Sequence, residues 1–284
     1  MQLVPGVVRS MRWRRAAPAV AGLLLALLAG CVHEGPPVRA IGPRPPADGR
    51  DIETASDETK ADRLAQTRMD LAAGYLGRNQ PTDALDEIKL AIAAKPDSGD
   101  AYSLRGLIYA ALGDFRVADE SFRHARELAP HDGNIMHNYG WFLCQQQRYP
   151  EADAEFKRAL AEPSYRQPGR TMFAQGVCEA RSGHLADADH TLSRAYELDP
   201  GNPVVAYNLS EVLYRSGQYD RARFYMRRVN ARDDLVSAQS LWLAARIEHK
   251  LGADDRVREL GAQLNSRFPQ APETLRFDKG QFDG

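Results

Sequence analysis

Four prolines that close helix-like segments set the strongest constraint on this chain. They stand at Pro96, Pro130, Pro200 and Pro269. The first pair is 34 residues apart, and the later gaps of 70 and 69 residues are each two such periods with one or two residues added. A period of this size belongs to a stack of like supersecondary units rather than to a single globular core. Between the prolines, apolar residues recur three and four apart, the spacing of one helical stripe. Gly113, Gly183, Gly217 and Gly252 fall midway through their segments, where a turn between two helices often needs positive φ. Each unit therefore predicts two helices joined by a tight turn. One such pair cannot bury its own stripe, so successive pairs stack.

In detail the pattern resembles the tetratricopeptide repeat (TPR), with small or apolar residues at repeat positions 8, 20 and 27 and larger ones at 4, 7, 11 and 24. The segment from Gly99 fits best, through Tyr102, Gly106, Tyr109, Ala118, Phe122, Ala125 and Pro130. Five others align with it, giving repeats near residues 65–98, 99–132, 133–166, 169–202, 203–236 and 238–271, the last degenerate. The expected fold is all-α, a right-handed TPR superhelix over residues 56–270 with twelve main helices and no sheet. Its first helix is expected to start at Ser56-Asp57-Glu58, a capping residue followed by acids, and residues 271–284 are expected to form a tail. Arg105, at position 7 of the second repeat, breaks the apolar pattern.

The N-terminus reads as a processing signal over residues 1–30, starting at either Met1 or Met11. Arg12, Arg14 and Arg15 precede the apolar run from Ala19 to Leu28, which is too short to span a bilayer. The run ends in Leu28-Ala29-Gly30-Cys31, which resembles a bacterial lipobox. The resemblance implies lipid on Cys31 and, with Val32 rather than Asp after it, placement on the periplasmic face of the outer membrane. Residues 31–55 hold that cysteine and a tether in which Pro36, Pro37, Pro43, Pro45 and Pro46 prevent regular structure. Without residues 1–31 the chain carries 33 basic against 38 acidic side chains. That mildly acidic balance argues against nucleic acid as a partner.

Catalytic patterns are missing. The seven histidines supply no pair on one helical turn with a third metal ligand nearby. There is no glycine-rich phosphate loop, no Gly-x-Ser-x-Gly and no Cys-x-x-Cys. The expectation is a binding protein with no catalytic residue, no metal, no cofactor beyond the covalent lipid and no small-molecule substrate.

In a TPR stack the first helix of each repeat lines the concave face through positions 2, 5, 9, 12 and 13. Repeat one offers Met69, Ala73 and Leu76 there, and repeat two Leu107, Ala110 and Ala111. Repeat three offers Trp141 with His137, and repeat four Phe173 with Val177. Repeats five and six offer Tyr207, Glu211, Tyr214, Trp242, Arg246 and Lys250. The apolar first half is the expected protein-docking groove. Asn138 and Asn208, at position 6, are better explained as structural hydrogen-bonding residues than as a carboxylate clamp. Once Cys31 is lipidated, Cys144 and Cys178 remain as an even pair at positions 12 and 10 of adjacent first helices. They either form a disulfide or pack as two small core thiols.

The run Asn138-Tyr139-Gly140-Trp141-Phe142-Leu143-Cys144, followed by Arg148-Tyr149-Pro150-Glu151-Ala152, Pro163-Ser164-Tyr165, Pro168-Gly169 and Gly176-Val177-Cys178, is more specific than a generic repeat. It resembles the PilF/PilW family of type IV pilus biogenesis lipoproteins, the pilotins of the pilus secretin. That resemblance implies binding to the secretin subunit, help with its localisation and multimer assembly, and so pilus formation and twitching motility. The competing expectation is a general periplasmic TPR scaffold acting on peptidoglycan enzymes or on outer-membrane protein assembly.

Overall fold

The structure is a computed structural model that describes residues 59–282. The signal segment, Cys31, the proline-rich tether and the expected helix start at Ser56 lie outside the described residues. The first described helix is capped by Thr59, whose side chain accepts from the Asp62 amide while the Thr59 amide donates to the Asp62 carboxylate. Lys95 pairs with the same carboxylate at 2.8 Å. This cap starts the helix five residues ahead of the repeat boundary at Ala65.

The described residues form thirteen α-helices, one 3-10 turn at Asp233–Leu235 and no strand. Six antiparallel pairs follow one another: α1 Lys60–Gly77 with α2 Pro81–Ala94, α3 Gly99–Leu112 with α4 Phe115–Leu128, α5 Gly133–Gln145 with α6 Tyr149–Ala161, α7 Pro168–Arg181 with α8 Leu185–Leu198, α9 Pro203–Arg215 with α10 Tyr219–Asn230, and α11 Ala238–Lys250 with α12 Asp254–Arg267. Consecutive odd-numbered helices touch one another, and each even-numbered helix packs on the next odd one. The odd helices therefore form the inner, concave layer of a right-handed TPR superhelix.

The close approach inside a pair comes from position 8 meeting position 24. A Cβ on Gly106 would come within 2.8 Å of the Phe122 ring, one on Gly140 within 2.9 Å of Phe156, and one on Gly176 within 2.6 Å of Leu192. Those three large side chains have no exposed surface. The turn between paired helices always puts position 15 at positive φ. Gly113, Gly183, Gly217 and Gly252 do so at +68° to +87°, while Asn79 and Gln147 take +58° and +60° in the first and third repeats. A non-glycine residue there carries a steric cost, and asparagine bears it better than glutamine.

Both ends of the stack depart from the repeat pattern. Leu71, at position 7 of repeat one, is 42% exposed, because position 7 packs on the preceding repeat and repeat one has no such neighbour among the described residues. At the other end, the expected tail contains a thirteenth helix, α13 Pro272–Asp278. It begins 34 residues after Ala238, in the slot of a seventh first helix, and packs on α11 and α12. In repeat six, position 24 is Gly261, and the Phe277 ring of α13 fills the space that a Gly261 Cβ would take. The large side chain that other repeats carry in their own second helix is supplied here from beyond the repeat.

Candidate functional site

The concave layer carries a run of apolar side chains through the first four repeats, among polar ones such as Asp100 and Arg170. Met69 and Leu76 pack at the edge of the core built on Ala72, Ile88 and Ile108. Leu107, Ala110 and Trp141 lie against the next core, around Phe122, Phe142 and Phe156. Phe173 leans on the third, around Leu192 and Leu209. All six are half-buried, whereas Ala73 and Ala111 are exposed. The result is a run of side chains anchored on their inner side and open on the other. The alanines leave room for an incoming backbone or side chain. The Arg181 guanidinium lies over the Trp141 ring at 5.2 Å, which sets the orientation of the largest groove side chain.

The remaining groove positions do not all line an open surface. His137 is buried between repeats three and four. Its Nδ1 meets the Thr171 hydroxyl at 2.8 Å, and Thr171 in turn meets the Tyr165 hydroxyl at 2.6 Å. Tyr165 also covers Gly133. Burial, followed by the nearby Arg170 charge, lowers the imidazole pKa to about 4, so His137 is a neutral structural residue. Val177 is buried at 6% exposure, and Tyr214 and Trp242 at 8% and 7%. The last two lie beneath the C-terminal segment that follows α13. Tyr207 is half-buried there, its hydroxyl pKa pushed up to about 12 by burial and then by the carboxylates of Glu211 and Glu273.

Asn138 links three repeats. Its amide donates to the Ser103 hydroxyl at 3.2 Å and its carbonyl accepts from Arg170 at 3.3 Å. Asn208 donates to the Val204 carbonyl of its own helix. Neither stands as an open clamp. Arg105, the irregular position-7 residue, is accommodated with its guanidinium over the Tyr109 ring at 5.1 Å.

Cys144 of α5 and Cys178 of α7 have Cα atoms 5.8 Å apart and bonded sulfurs. The bond joins two first helices directly across the insertion, at the floor of the groove beside Trp141.

A ladder of carboxylates escaped the sequence reading. Asp119, Asp153 and Asp189 share position 21 in repeats two to four, and each receives bonds from the next repeat. Asp119 accepts from Tyr139 at 2.9 Å and Arg148 at 2.7 Å, Asp153 from Gln175 at 2.9 Å, and Asp189 from Arg221 at 2.6 and 2.9 Å. Repeat five reverses the sign, with Arg223 at position 21 facing Glu248 of repeat six at 3.7 Å. The signal lay in the spacing of the aspartates, 34 and then 36 residues. These bonds fix the angle between repeats and so the curvature of the concave face.

A separate cleft of about 720 Å³ opens between α6 and α8, lined among others by Asp153, Lys157, Glu179, Asp187, His190 and Arg194, with Lys157 paired to Asp153 of its own helix at 2.8 Å. Burial raises the Glu179 pKa. Among the described residues no group of three or more His, Cys, Asp or Glu side chains is placed to hold a metal ion, and no helix is long and apolar enough to cross a membrane.

Comparison with known proteins agrees with this architecture. Residues 99–132, 143–203 and 180–247 each match the tetratricopeptide repeat. The chain is 26% identical to the type IV pilus assembly protein PilF of Pseudomonas aeruginosa, over 91% of this chain and 96% of that protein. The crystal structure of PilW, described as a widely conserved type IV pilus biogenesis factor, superposes with a TM-score of 0.70 at 30% identity, covering 75% of this chain and 97% of that one. The structure of P. aeruginosa PilF superposes with a TM-score of 0.66 at 25% identity, covering 78% and 100%.

Proposed function

The chain belongs to the PilF/PilW family of tetratricopeptide type IV pilus biogenesis factors, and we propose that it serves pilus assembly by holding the secretin subunit on the concave face of its first four repeats. The observation that carries this reading is the run of half-buried apolar side chains from Met69 through Leu107 and Trp141 to Phe173, interspersed with exposed alanines. An apolar run of this length is costly in water and gains free energy when an apolar segment of a partner covers it. The role is one of binding. The groove's one buried histidine, His137, is held neutral by burial and sits in a structural hydrogen-bond chain with Thr171 and Tyr165.

In this reading Cys31 carries the lipid that holds the protein at the periplasmic face of the outer membrane. Each buried methylene of an acyl chain contributes about 0.8 kcal/mol, so more than one chain is needed for stable anchoring. The tether would give the repeats reach from the membrane. Held there, the groove raises the local concentration of secretin subunits where they insert, and so promotes multimers.

The test is Leu107→Asp or Leu76→Asp in cells. A charge placed in a binding hot spot should cost more than about 2 kcal/mol of binding. The expected outcome is loss of heat-stable secretin multimers and of twitching, with unchanged protein level and circular dichroism. Normal multimers in both variants would place the docking surface elsewhere. A cell-wall defect rather than a pilus one would favour the general scaffold. Cys31→Ser should release the protein from the outer membrane, and mass spectrometry showing an unacylated mature N-terminus would refute the anchor.

A further inference from the structure

The concave face of repeats five and six already holds a peptide, namely the chain's own C-terminal segment. After α13 the backbone turns at Gly280 with φ of +64° and delivers Phe282 onto α11. The ring stacks on His249 with centroids 4.4 Å apart and on Trp242 at 5.4 Å. The Phe282 carbonyl accepts from Arg246 Nε at 3.1 Å and sits 3.5 Å from the Tyr214 hydroxyl. Arg246 is itself set over the Tyr214 ring at 4.5 Å. All four receiving side chains occupy groove positions: 5, 9 and 12 of repeat six and 12 of repeat five. In repeats one and two the same positions are mostly small or aliphatic.

Two parts of this segment do different work. Phe277 substitutes for the missing position-24 side chain above Gly261 and is a structural cap. Phe282 completes no repeat. It is held through its ring, which also packs edge to face against Phe277 with centroids 5.5 Å apart, and through a backbone carbonyl, features that any extended segment bearing an aromatic side chain would present. We propose that the concave face of repeats five and six is a second recognition site, for an extended peptide segment carrying an aromatic side chain, and that Phe282 occupies it in the resting chain. A partner segment of that chemistry binds by exchanging with Phe282, while α13 and Phe277 stay in place. The site is independent of what the first four repeats hold.

The test follows the indole N–H resonance of Trp242 in the 15N-labelled protein, with the Trp141 indole as internal reference. Phe282→Ala should shift the Trp242 signal and leave Trp141 in place. The peptide amide Lys-Gly-Gln-Phe, a copy of residues 279–282, should then return the Trp242 signal toward its native position at concentrations up to about 10 mM, the range expected for so small a contact. Lys-Gly-Gln-Ala amide should not. The native protein should need about twice as much peptide or more, because its tethered Phe282 competes at an effective concentration comparable with the peptide's own millimolar dissociation constant. Adding Arg246→Gln to Phe282→Ala should weaken the response by roughly ten-fold, the loss of one charge-assisted bond. If Phe282→Ala loosens α13, seen as lost exchange protection at Phe277, then Phe282→Leu is used in its place. The proposal is overturned if Trp242 does not respond to loss of the ring, if both peptides act alike, or if native protein and variant take up the peptide equally.

Discussion

Gly140→Ala isolates the contact on which each repeat is built. Alanine is the better helix former by about 1 kcal/mol, so on propensity alone the change would stabilise α5. The structure opposes it. The new methyl would meet Phe156 Cδ1 and Cε1 at 2.9 Å and the Ala152 carbonyl at 3.3 Å. Phe156 has no exposed surface, and the His137 ring lies 6.1 Å from its own. Overpacking of this kind costs about 1–3 kcal/mol, so the net expectation is a loss of up to about 2 kcal/mol. Gly77→Ala is the matched control, since its Cβ meets nothing within 4 Å, and it should be neutral or stabilising by about 0.5–1 kcal/mol. Because a repeat array need not unfold in one step, the readout is hydrogen exchange in α5 and α6 alongside urea denaturation. Combining Gly140→Ala with Phe156→Leu should recover about 1 kcal/mol relative to the sum of the single changes. A Gly140→Ala protein as stable as the native one, or strict additivity with Phe156→Leu, would refute the reasoning.

Three further outcomes are expected. Reducing the Cys144–Cys178 bond, or replacing both cysteines by alanine, opens a loop with a sequence separation of 34 and should remove about 3–4 kcal/mol in the chain-entropy model; exchange should rise at α5 and α7, and protection equal to the oxidised protein would contradict this. His137 is held neutral with its pKa lowered to about 4, so between about pH 6.5 and pH 4 the unfolded chain takes up a proton that the folded chain does not; stability should fall through that window by up to about 3 kcal/mol, and His137→Gln should flatten this part of a stability–pH curve. Phe277→Ala should cost about 2 kcal/mol, because this half-buried ring fills the space above Gly261, and α11 to α13 should lose exchange protection ahead of the other repeats.

The parts of the fold legible in the sequence were those fixed by local rules repeated at a constant period. Gly106, Gly140 and Gly176 announce close helix approach, the position-15 glycines announce the turns, and the prolines close the units. What the sequence hid was set by contacts across repeats. A seven-residue segment from Pro272 to Asp278 has too few turns to show a helical stripe, and its burial depends on Gly261, a glycine that by itself reads only as a defect in the last repeat. The aromatic groove positions Tyr214 and Trp242 read as open surface because nothing local marks Phe282 as their cover. His137 likewise occupies a groove position by count, yet Thr171 of the next repeat and Tyr165 at the close of its own repeat bury it. The aspartates at position 21 look like ordinary solvated charges until the next repeat is placed against them.

The central claim, that the concave face of the first four repeats is the protein-docking surface, is tested most directly by photo-crosslinking in living cells. A benzophenone side chain is placed at Ala73 or Ala111, which are exposed on that face, and separately at Leu90 of α2, which is 48% exposed on the outer layer. The expected result is a single crosslinked product containing the secretin subunit from Ala73 and Ala111, and none from Leu90. Secretin captured from Leu90 but not from the two alanine positions would contradict it.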